Sequence, residues 1–363
     1  MTMGLDFTSA LYLGFWHESQ SLRPWFQLTT GKPAILTDPP SAEAVADQLA
    51  KLQGLDQSSL ARSTLHLFWD FFGLLAEERV AIFQDSGSYS IAQWGIERAA
   101  ARCVPVYRFP HKDVNALQRL LHRPAGGRRP VIVTDGICTA CGCAMPLKEY
   151  HQLVQRAGGL LVIDDTQALG ILGKKQNSPS PYGRGGGGSL RYQNISGTNV
   201  VVISSLAKGF GAPLAALSGS KDLVQKFNAR GQTRLHCSPP SLADIHAAQR
   251  ALDLNSTDGD ALRLQLAQRI QQFHRRLAEA GFSADGGFFP VQTLRLPTHL
   301  NLVTLYQELL DDGIHTILRQ GCEGQPRLSL IITARHSLND IENTVQAIAR
   351  VVNEQPQAEL EGG

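Results

Sequence analysis

The sequence predicts an α/β protein that has a large domain built on a mainly parallel sheet and a smaller α+β domain in its C-terminal part. Short, near-continuously apolar runs recur within residues 80–217, as expected of strands buried on both faces of a parallel sheet. Helical stretches at 114–122 and 146–157 separate some of these runs. Strands that alternate with helices are typical of a doubly wound fold. After residue 255 the pattern changes to a long helix followed by short strands and further helices.

The individual elements follow from periodicity and from their bounding residues. A first helix is predicted at 41–53, where Val45, Leu49 and Leu52 share one face and Gly54 ends the run. Strands of the large domain are predicted at 80–83, 103–107, 131–133, 160–163, 200–203 and 214–217. In the C-terminal part we predict helices at 261–280, at 302–312 and from 337, and strands near 291, at 315–318 and at 327–332. The predicted division is an N-terminal segment, 1–40, that packs with the small domain, a large domain, 41–255, and a small domain, 256–363.

The composition is that of an ordinary globular chain. Of the 363 residues 43% are hydrophobic and 18% are charged, and the formal net charge is +2. This charge balance argues against nucleic-acid binding and against a polybasic membrane patch, and no apolar run is long enough to span a bilayer. The first residues carry neither a basic segment nor an apolar stretch, so we expect no secretory signal and a cytoplasmic protein.

The six cysteines raise the question of a metal site. Cys138, Cys141 and Cys143 lie close together, but no second cluster supplies further ligands at a usual spacing. Small residues in a tight loop after a strand explain them better. We therefore predict neither a structural metal nor a disulfide.

Lys208 is the strongest candidate for a catalytic residue. It lies in the segment SSLAKGFG, 204–211, directly after the apolar run 200–203. Pyridoxal 5′-phosphate (PLP) requires an amine in such a place, because its aldehyde forms a Schiff base with a lysine whose pKa has fallen. Ser205, three residues earlier, can turn its hydroxyl toward the cofactor phosphate. The competing interpretation is a surface lysine that follows a strand.

Asp164 is the candidate for the second essential group. It follows the apolar run 160–163, and the carboxyl end of a buried parallel strand is where α/β folds bind ligands. PLP needs an anion that keeps its pyridine nitrogen protonated, so that the ring can take up electrons from a substrate carbanion. The neighbouring Asp165 is explained equally well by helix capping.

These motifs together resemble a known family. VIDDTQALGILG at 162–173, GRG at 183–185 and SSLAKGFG are similar to motifs of the α-oxoamine synthases, such as 8-amino-7-oxononanoate synthase. That family belongs to the fold-type I PLP-dependent enzymes of the class II aminotransferase superfamily. Further matching segments are DFTSALYLG at 6–14, FPHKDV at 109–114, TDG at 134–136 and RLSLIITARH at 327–336. The resemblance covers nearly the whole chain in order and identifies it as a divergent member.

The resemblance implies a fold-type I PLP transferase and assigns roles to single residues. Lys208 becomes the aldehyde-binding lysine and Asp164 the partner of the pyridine nitrogen. The positions that it assigns to cofactor binding are Lys208, Asp164, Gln167, Ser205, Ser63, Thr64, Leu65, Ser88, Tyr89, Asp135, Ser238 and His236. Ser63, Thr64 and Leu65 match a phosphate loop at a helix start, where backbone amides bind anions. A homodimer with shared active sites is also implied, in which Ser238 or His236 reaches the neighbouring protomer's phosphate.

Two cofactor contacts depart from the family pattern. The family histidine that contacts the phenolic oxygen of the cofactor is Gln167 here, which donates a hydrogen bond but does not titrate near neutral pH. The family histidine that stacks on the cofactor ring falls on Ser88. Tyr89 stacks there if the alignment shifts by one residue, or it is an ordinary packed aromatic.

The third departure lies in the substrate site. The second arginine of the family segment R-L-R holds the amino-acid carboxylate, and here it is Ser329, which cannot replace a bidentate guanidinium. Either Arg327, Arg335 or Arg23 takes over this role, or the amino substrate has no simple α-carboxylate, or the alignment is locally shifted. A fourth departure is an insertion rich in glycine, serine and proline, 174–188, which its composition predicts to be a mobile loop.

Three functions follow as alternatives. The resemblance favours C–C bond formation between the carbanion of an amino acid and an acyl thioester, with Lys208 as the base and CO₂ as a product, in a biosynthetic role. Transamination, or another PLP-dependent bond-forming, eliminating or cyclising reaction, fits the altered positions. The third alternative is a non-catalytic pseudoenzyme, against which the retention of Lys208, Asp164 and Ser205 argues.

Overall fold

The protein is described by a computed structural model that covers residues 4–122, 126–175, 179–320 and 325–354. The chain forms two compact units. The large unit comprises Phe15–Cys138 and Ala144–Asp260, and the small unit comprises Met1–Gly14, Thr139–Cys143 and Ala261–Gly363. The domain limits predicted from the sequence remain a prediction.

The elements alternate between strand and helix through most of the large unit. In chain order the helices are α1 (Ala42–Gln53), α2 (Thr64–Leu75), α3 (Ser90–Ala100), α4 (Val114–Leu121), α5 (Leu147–Arg156), α6 (Ser189–Gln193), α7 (Lys221–Arg230), α8 (Gln232–His236), α9 (Leu242–Thr257), α10 (Gly259–Glu279), α11 (Leu302–Asp311) and α12 (Leu338–Glu354). The strands are β1 (Leu5–Asp6), β2 (Gln57–Ala61), β3 (Val80–Asp85), β4 (Val106–Phe109), β5 (Arg129–Asp135), β6 (Leu160–Asp164), β7 (Val200–Ser205), β8 (Ala215–Gly219), β9 (Ser283–Asp285), β10 (Val291–Arg295), β11 (Ile314–His315), β12 (Ile317–Gln320) and β13 (Pro326–Ile331).

A seven-stranded sheet in the order β2-β8-β7-β6-β5-β3-β4 forms the centre of the large unit. β3 to β7 are parallel, and β8 is antiparallel to both of its neighbours. The middle strands are buried on both faces, which explains why β6 reads as the uninterrupted apolar run Leu160–Ile163. The predicted α/β class with a mainly parallel sheet is confirmed.

The start of β4 differs from the sequence-based expectation. The run from Cys103 was predicted as strand, but Cys103 has a φ of 63° and ends a turn, and β4 begins only at Val106. β-propensity and apolar character do not report a left-handed residue that precedes the strand.

The small unit contains an antiparallel sheet in the order β12-β13-β10-β9 and a separate parallel pair, β1-β11. The single strand predicted at 315–318 is therefore two short strands, because the chain leaves the β1 pair after His315 and joins the larger sheet at Ile317. α12 begins with a reciprocal cap: Ser337 N donates to Asp340 Oδ2 at 2.7 Å, and Asp340 N donates to Ser337 Oγ at 3.1 Å.

The glycine-rich insertion is held by backbone hydrogen bonds in its described part. Gly173 N donates to Tyr182 O at 2.8 Å, and Gly188 N donates to Leu172 O at 2.7 Å. The backbones of Lys174 and Arg184 form an isolated antiparallel β-bridge. This differs from the loose loop that composition predicts, because the segment pairs with the chain that follows β6. Residues 176–178 lie outside the described residues.

Two further findings concern the cysteines and the helices. Among the described residues no disulfide joins Cys103, Cys138, Cys141, Cys143 or Cys237 to another cysteine, and Cys322 lies outside them. Across the described helices, none combines the length and the apolar character needed to cross a bilayer.

Candidate active site

The register of the large sheet brings the predicted acid and lysine to one edge. β5, β6 and β7 run parallel, with Asp135 directly opposite Asp164 and Asp164 opposite Ile203. Both aspartates are buried. Lys208 lies in the turn after β7 and is half-buried. This is the carboxyl edge of parallel strands, where open α/β sheets bind their ligands.

Thr166 joins the ends of β6 and β7. Its backbone N–H donates to Asp164 Oδ1 at 3.0 Å, and its hydroxyl also bonds the Asp164 side chain. The same Oγ1 accepts a hydrogen bond from Ser205 N at 3.0 Å. The Asp164 carboxylate is therefore fixed relative to the strand that leads to the lysine. Sequence reasoning missed Thr166, although its position two residues after the acid is a signal.

The lysine turn packs against the chain after β6 through two glycines. A Cβ on Gly209 would lie 2.5 Å from Leu169 O, and one on Gly170 would lie 3.1 Å from the Cα of Gly209. Only glycines permit this approach. On the other side His17 Nε2 lies 2.8 Å from Phe210 O, a contact 193 residues apart in the chain that no local pattern could indicate.

Burial shifts the pKa values of the acidic and basic groups in opposite directions. Burial raises the pKa of Asp164, while the Thr166 hydrogen bonds and the charge of Lys208 act against this rise. Burial lowers the pKa of Lys208, and the charge of Asp164 opposes that fall. The pKa of Asp135 is raised well above its usual value, first by burial and then by the charge of Asp164. The site thus holds a lysine that loses its proton more readily than a solvated one.

The start of α2 lies at the same edge of the sheet. Ala61 at the end of β2 is paired with Ala215, and Ala215 is paired with Ser205. α2 begins three residues after Ala61, at Thr64. Ser63 precedes the helix with extended backbone and makes no side-chain cap; its Oγ lies 2.8 Å from His66 Nδ1 instead. The first-turn amides of a twelve-residue helix are left for an anion.

The aromatic candidate is also near this edge. Tyr89 N donates to Asp135 Oδ1 at 3.1 Å, and the Tyr89 side chain is half exposed. Ser88 Oγ contacts Val133 O at 3.5 Å and is half-buried. Of the two predicted stacking positions, Tyr89 therefore carries an exposed aromatic ring and Ser88 a small hydroxyl.

The remaining predicted cofactor residues differ in their exposure to solvent. Gln167 is half-buried and engaged with its surroundings. Leu65 and His236 are exposed, and Ser238 is half-buried. Asp165 accepts a hydrogen bond from Ser189 N at 2.9 Å, which gives it a structural role at the start of α6.

Two predicted substrate residues of the small unit, Ser329 and Arg327, lie on β13, and Arg335 follows that strand. Ser329 is 1% exposed and its Oγ lies 2.9 Å from Thr293 Oγ1. Arg327 is exposed on the same strand. Arg335 Nε donates to Gly14 O at 2.6 Å and so holds the N-terminal segment of its unit. A residue that the sequence did not single out, Arg319, contacts Ser329 Oγ through Nε at 3.3 Å.

The other arginine candidate, Arg23, belongs to the large unit. Its side chain is exposed, and its carbonyl oxygen lies 2.8 Å from His246 Nδ1. No contact connects it with the residues at the carboxyl edge within the described part of the chain.

The residues present fit PLP. A buried carboxylate faces a half-buried amine, which matches a protonated pyridine nitrogen and an aldehyde. A helix start without a side-chain cap at the same edge matches a phosphate. Gly209 keeps the lysine turn clear of side-chain bulk beside Leu169. When bound, the cofactor would be held by Lys208, Asp164, Ser205 and the first turn of α2.

Comparison with known proteins agrees with this fit. A family profile described as aminotransferase class I and II matches residues 69–348, more than half of the chain. The 8-amino-7-oxononanoate synthase of Geobacter sulfurreducens is 28% identical over 318 residues, which cover 86% of this chain and 77% of that protein.

Solved structures show the same fold. A lysine-to-alanine variant of serine palmitoyltransferase from S. paucimobilis with bound PLP–myriocin has a TM-score of 0.83 at 16% identity, covering 95% of this chain and 86% of that chain. An 8-amino-7-oxononanoate synthase from Francisella tularensis has a TM-score of 0.74 at 18% identity, covering 96% and 98%.

The fold and the family match define a fold-type I, PLP-dependent transferase. The chain belongs to the aminotransferase class I and II family. The predicted fold type, the predicted cofactor and the predicted resemblance to the α-oxoamine synthases are confirmed.

Proposed function

We propose that the protein joins an amino acid to an acyl thioester, with C–C bond formation at the α-carbon and release of free thiol. The relatives support this reaction, because 8-amino-7-oxononanoate synthase and serine palmitoyltransferase are among the proteins most similar in sequence and structure. We further propose a biosynthetic role and a cytoplasmic location; cysteines that form no disulfide, as in the described part of the chain, are usual in that compartment.

The pairing of Asp164 with Lys208 is the observation that carries this proposal. Removing a proton from the α-carbon of an amino acid requires a base with a lowered pKa and an acceptor for the electrons. The bound cofactor supplies the electron acceptor. Lys208 Nζ, whose pKa burial lowers, takes the proton. The Asp164 carboxylate holds the compensating positive charge in place, and Thr166 keeps the carboxylate oriented.

The phosphate end and the ring face have separate supports. The amides at the start of α2, from Thr64 and Leu65, bind phosphate oxygens together with the Ser205 and Ser63 hydroxyls. Gln167 donates to the phenolic oxygen, and Tyr89 covers the ring. Because Gln167 does not ionise, the electronic properties of the ring should depend less on pH than with a histidine.

We also propose a homodimer with shared sites, in which Ser238 or His236 reaches the neighbouring phosphate. Large apolar side chains are exposed on the large unit, at Trp16, Phe26, Leu28, Leu65, Trp69, Tyr89 and Trp94. Exposed apolar side chains become buried where they lie together in a protein interface. Sedimentation should give twice the chain mass, and Phe26→Asp should shift it toward the monomer. A monomeric wild type would refute the dimer.

The reaction is tested by incubating the holoenzyme with single amino acids and acyl-CoA thioesters. Free CoA, measured with a thiol reagent, and released CO₂ should appear only when both substrates are present. Lys208→Ala should abolish the signal. Amino-group transfer to a 2-oxo acid without CoA release would assign an aminotransferase instead, and the absence of either reaction together with absent cofactor absorbance would favour a pseudoenzyme.

A further inference from the structure

A histidine and a cysteine lie close together beyond the ends of two strands of the large sheet. His111 follows β4 and Cys138 follows β5, and these strands lie on either side of β3 and parallel to it. Both residues belong to the large unit. A ring nitrogen of His111 and Cys138 Sγ are within 4.8 Å of each other. Imidazole nitrogen and thiolate sulfur are the ligands that zinc prefers in proteins.

A buried carboxylate orients the imidazole. His111 Nδ1 lies 2.7 Å from Oδ1 of Asp85, a residue at the end of β3 that is 0% exposed. Three further donors fix this carboxylate, namely Gly87 N at 2.8 Å, Lys112 N at 3.0 Å and the Tyr150 hydroxyl at 3.2 Å. An ionised carboxylate only accepts hydrogen bonds, so Nδ1 of the neutral ring carries the proton and Nε2 presents its lone pair.

Nε2 of His111 is the nitrogen open to a ligand. It is buried and has no hydrogen-bond partner among the residues that the structure describes. A histidine that binds a metal ion usually donates its other ring N–H to a carboxylate, as this one does to Asp85. The next residue, Lys112, has a φ of 63°, a strained conformation for lysine that its hydrogen bond to Asp85 maintains.

The loop that begins with Cys138 carries further thiols. Ile137 and Ala144 form an antiparallel β-bridge, and Met145 N donates to Gly136 O at 3.2 Å. The loop 138–143 is therefore closed at its base within the large unit. Its sequence, CTACGC, places cysteines three and five residues after Cys138, and C-x-x-C is a spacing at which two thiolates bind one zinc ion.

We propose that His111 Nε2, Cys138 Sγ and a second thiolate of the loop 138–143 bind one Zn²⁺ ion. Bonds of about 2.1 Å to nitrogen and about 2.3 Å to sulfur at a tetrahedral angle separate the two ligand atoms by about 3.6 Å. From a separation of at most 4.8 Å, the side chains would move by no more than about 1.2 Å. Cysteine spacing alone gave no such site, because α4 and β5 separate His111 from the cysteines. The inference does not depend on the proposed reaction.

The test measures Zn²⁺ binding to holoenzyme that has been freed of metal with EDTA. Competition with a chromophoric chelator should give one ion per chain with a Kd below about 1 μM. Co²⁺ in place of Zn²⁺ should give the visible bands of a tetrahedral site with thiolate ligands, at longer wavelength than the cofactor absorbs. Zn²⁺ at about 100 times its Kd should raise the melting temperature by about 3 to 4 °C.

Matched variants separate the site from other thiols and imidazoles. Cys138→Ser and His111→Gln should each raise the Kd at least about 100-fold, because each removes a ligand. Asp85→Asn should raise it about 10- to 100-fold through the orientation of His111. Cys103→Ser and His122→Gln, which alter exposed residues elsewhere in the large unit, should leave the Kd unchanged. Melting without metal identifies any variant that fails to fold.

The outcomes decide the inference. A wild type that binds no Zn²⁺, or Cys138→Ser that folds and binds it as tightly as wild type, would overturn the site. The double variant Cys141→Ser with Cys143→Ser should also raise the Kd at least about 100-fold, and an unchanged Kd would overturn the second thiolate. Rapid alkylation of Cys138 by iodoacetamide that Zn²⁺ does not slow would identify a reactive thiol in place of a metal ligand.

Discussion

Gly209 allows a sharp test of how the lysine turn is built. The glycine does not have a left-handed backbone, so alanine is conformationally permitted, but its Cβ would lie 2.5 Å from Leu169 O. Ordinary contact begins near 3.4 Å, so the turn must move by almost 1 Å. Overpacking of this kind costs about 1–3 kcal/mol. The displaced residue is next to Lys208, so the cofactor absorbance should change as well.

Gly219 on β8 is the matched control, because a Cβ there would meet its nearest neighbour at 3.5 Å. Gly219→Ala should be neutral or stabilising by up to about 1 kcal/mol. Thermal melting by circular dichroism should place Gly209→Ala roughly 1 to 4 °C below wild type. If both variants melt together and keep the wild-type absorbance, the close packing of the lysine turn against Leu169 is refuted.

Two further predictions concern the buried acids. Burial raises the pKa of Asp165 from 3.8 to about 6, so the folded state binds the proton more tightly and stability is lost as pH rises through this range. Asp165→Asn does not ionise, so between about pH 4 and pH 7 its free energy of unfolding, measured with urea, should rise relative to that of wild type by about 2.4 kcal/mol; a constant difference would contradict this. Asp164→Asn should retain the cofactor at Lys208 but lower kcat roughly 100-fold or more, because an amide cannot hold a protonated pyridine nitrogen; wild-type kcat would contradict this role.

Much of the fold could be predicted from local patterns. Buried parallel strands such as 160–163 and 200–203 are uninterrupted apolar runs, and α1 ends at Gln53, before Gly54, which adopts a φ of 81°. The errors have physical causes. The left-handed Cys103 delays β4, and the chain at 315–318 changes sheets, which depends on pairing partners far away in sequence.

The candidate site was predictable where chemistry lies in short motifs. Lys208 and Asp164 follow apolar strands, and the parallel register then brings their strands together. The contact between Arg319 and Ser329 was not predictable in this way, because it arises from the pairing of β12 with β13. His17 likewise contacts Phe210 across 193 residues. Long-range pairing leaves no signal in the local sequence.

Reduction of the holoenzyme with borohydride, followed by peptide mapping, tests the central claim most directly. The account predicts a pyridoxyl group covalently attached to Lys208 alone, and no labelled peptide from Lys208→Ala. A stable label on another lysine in wild type, or a wild-type protein that takes up no PLP, would contradict it.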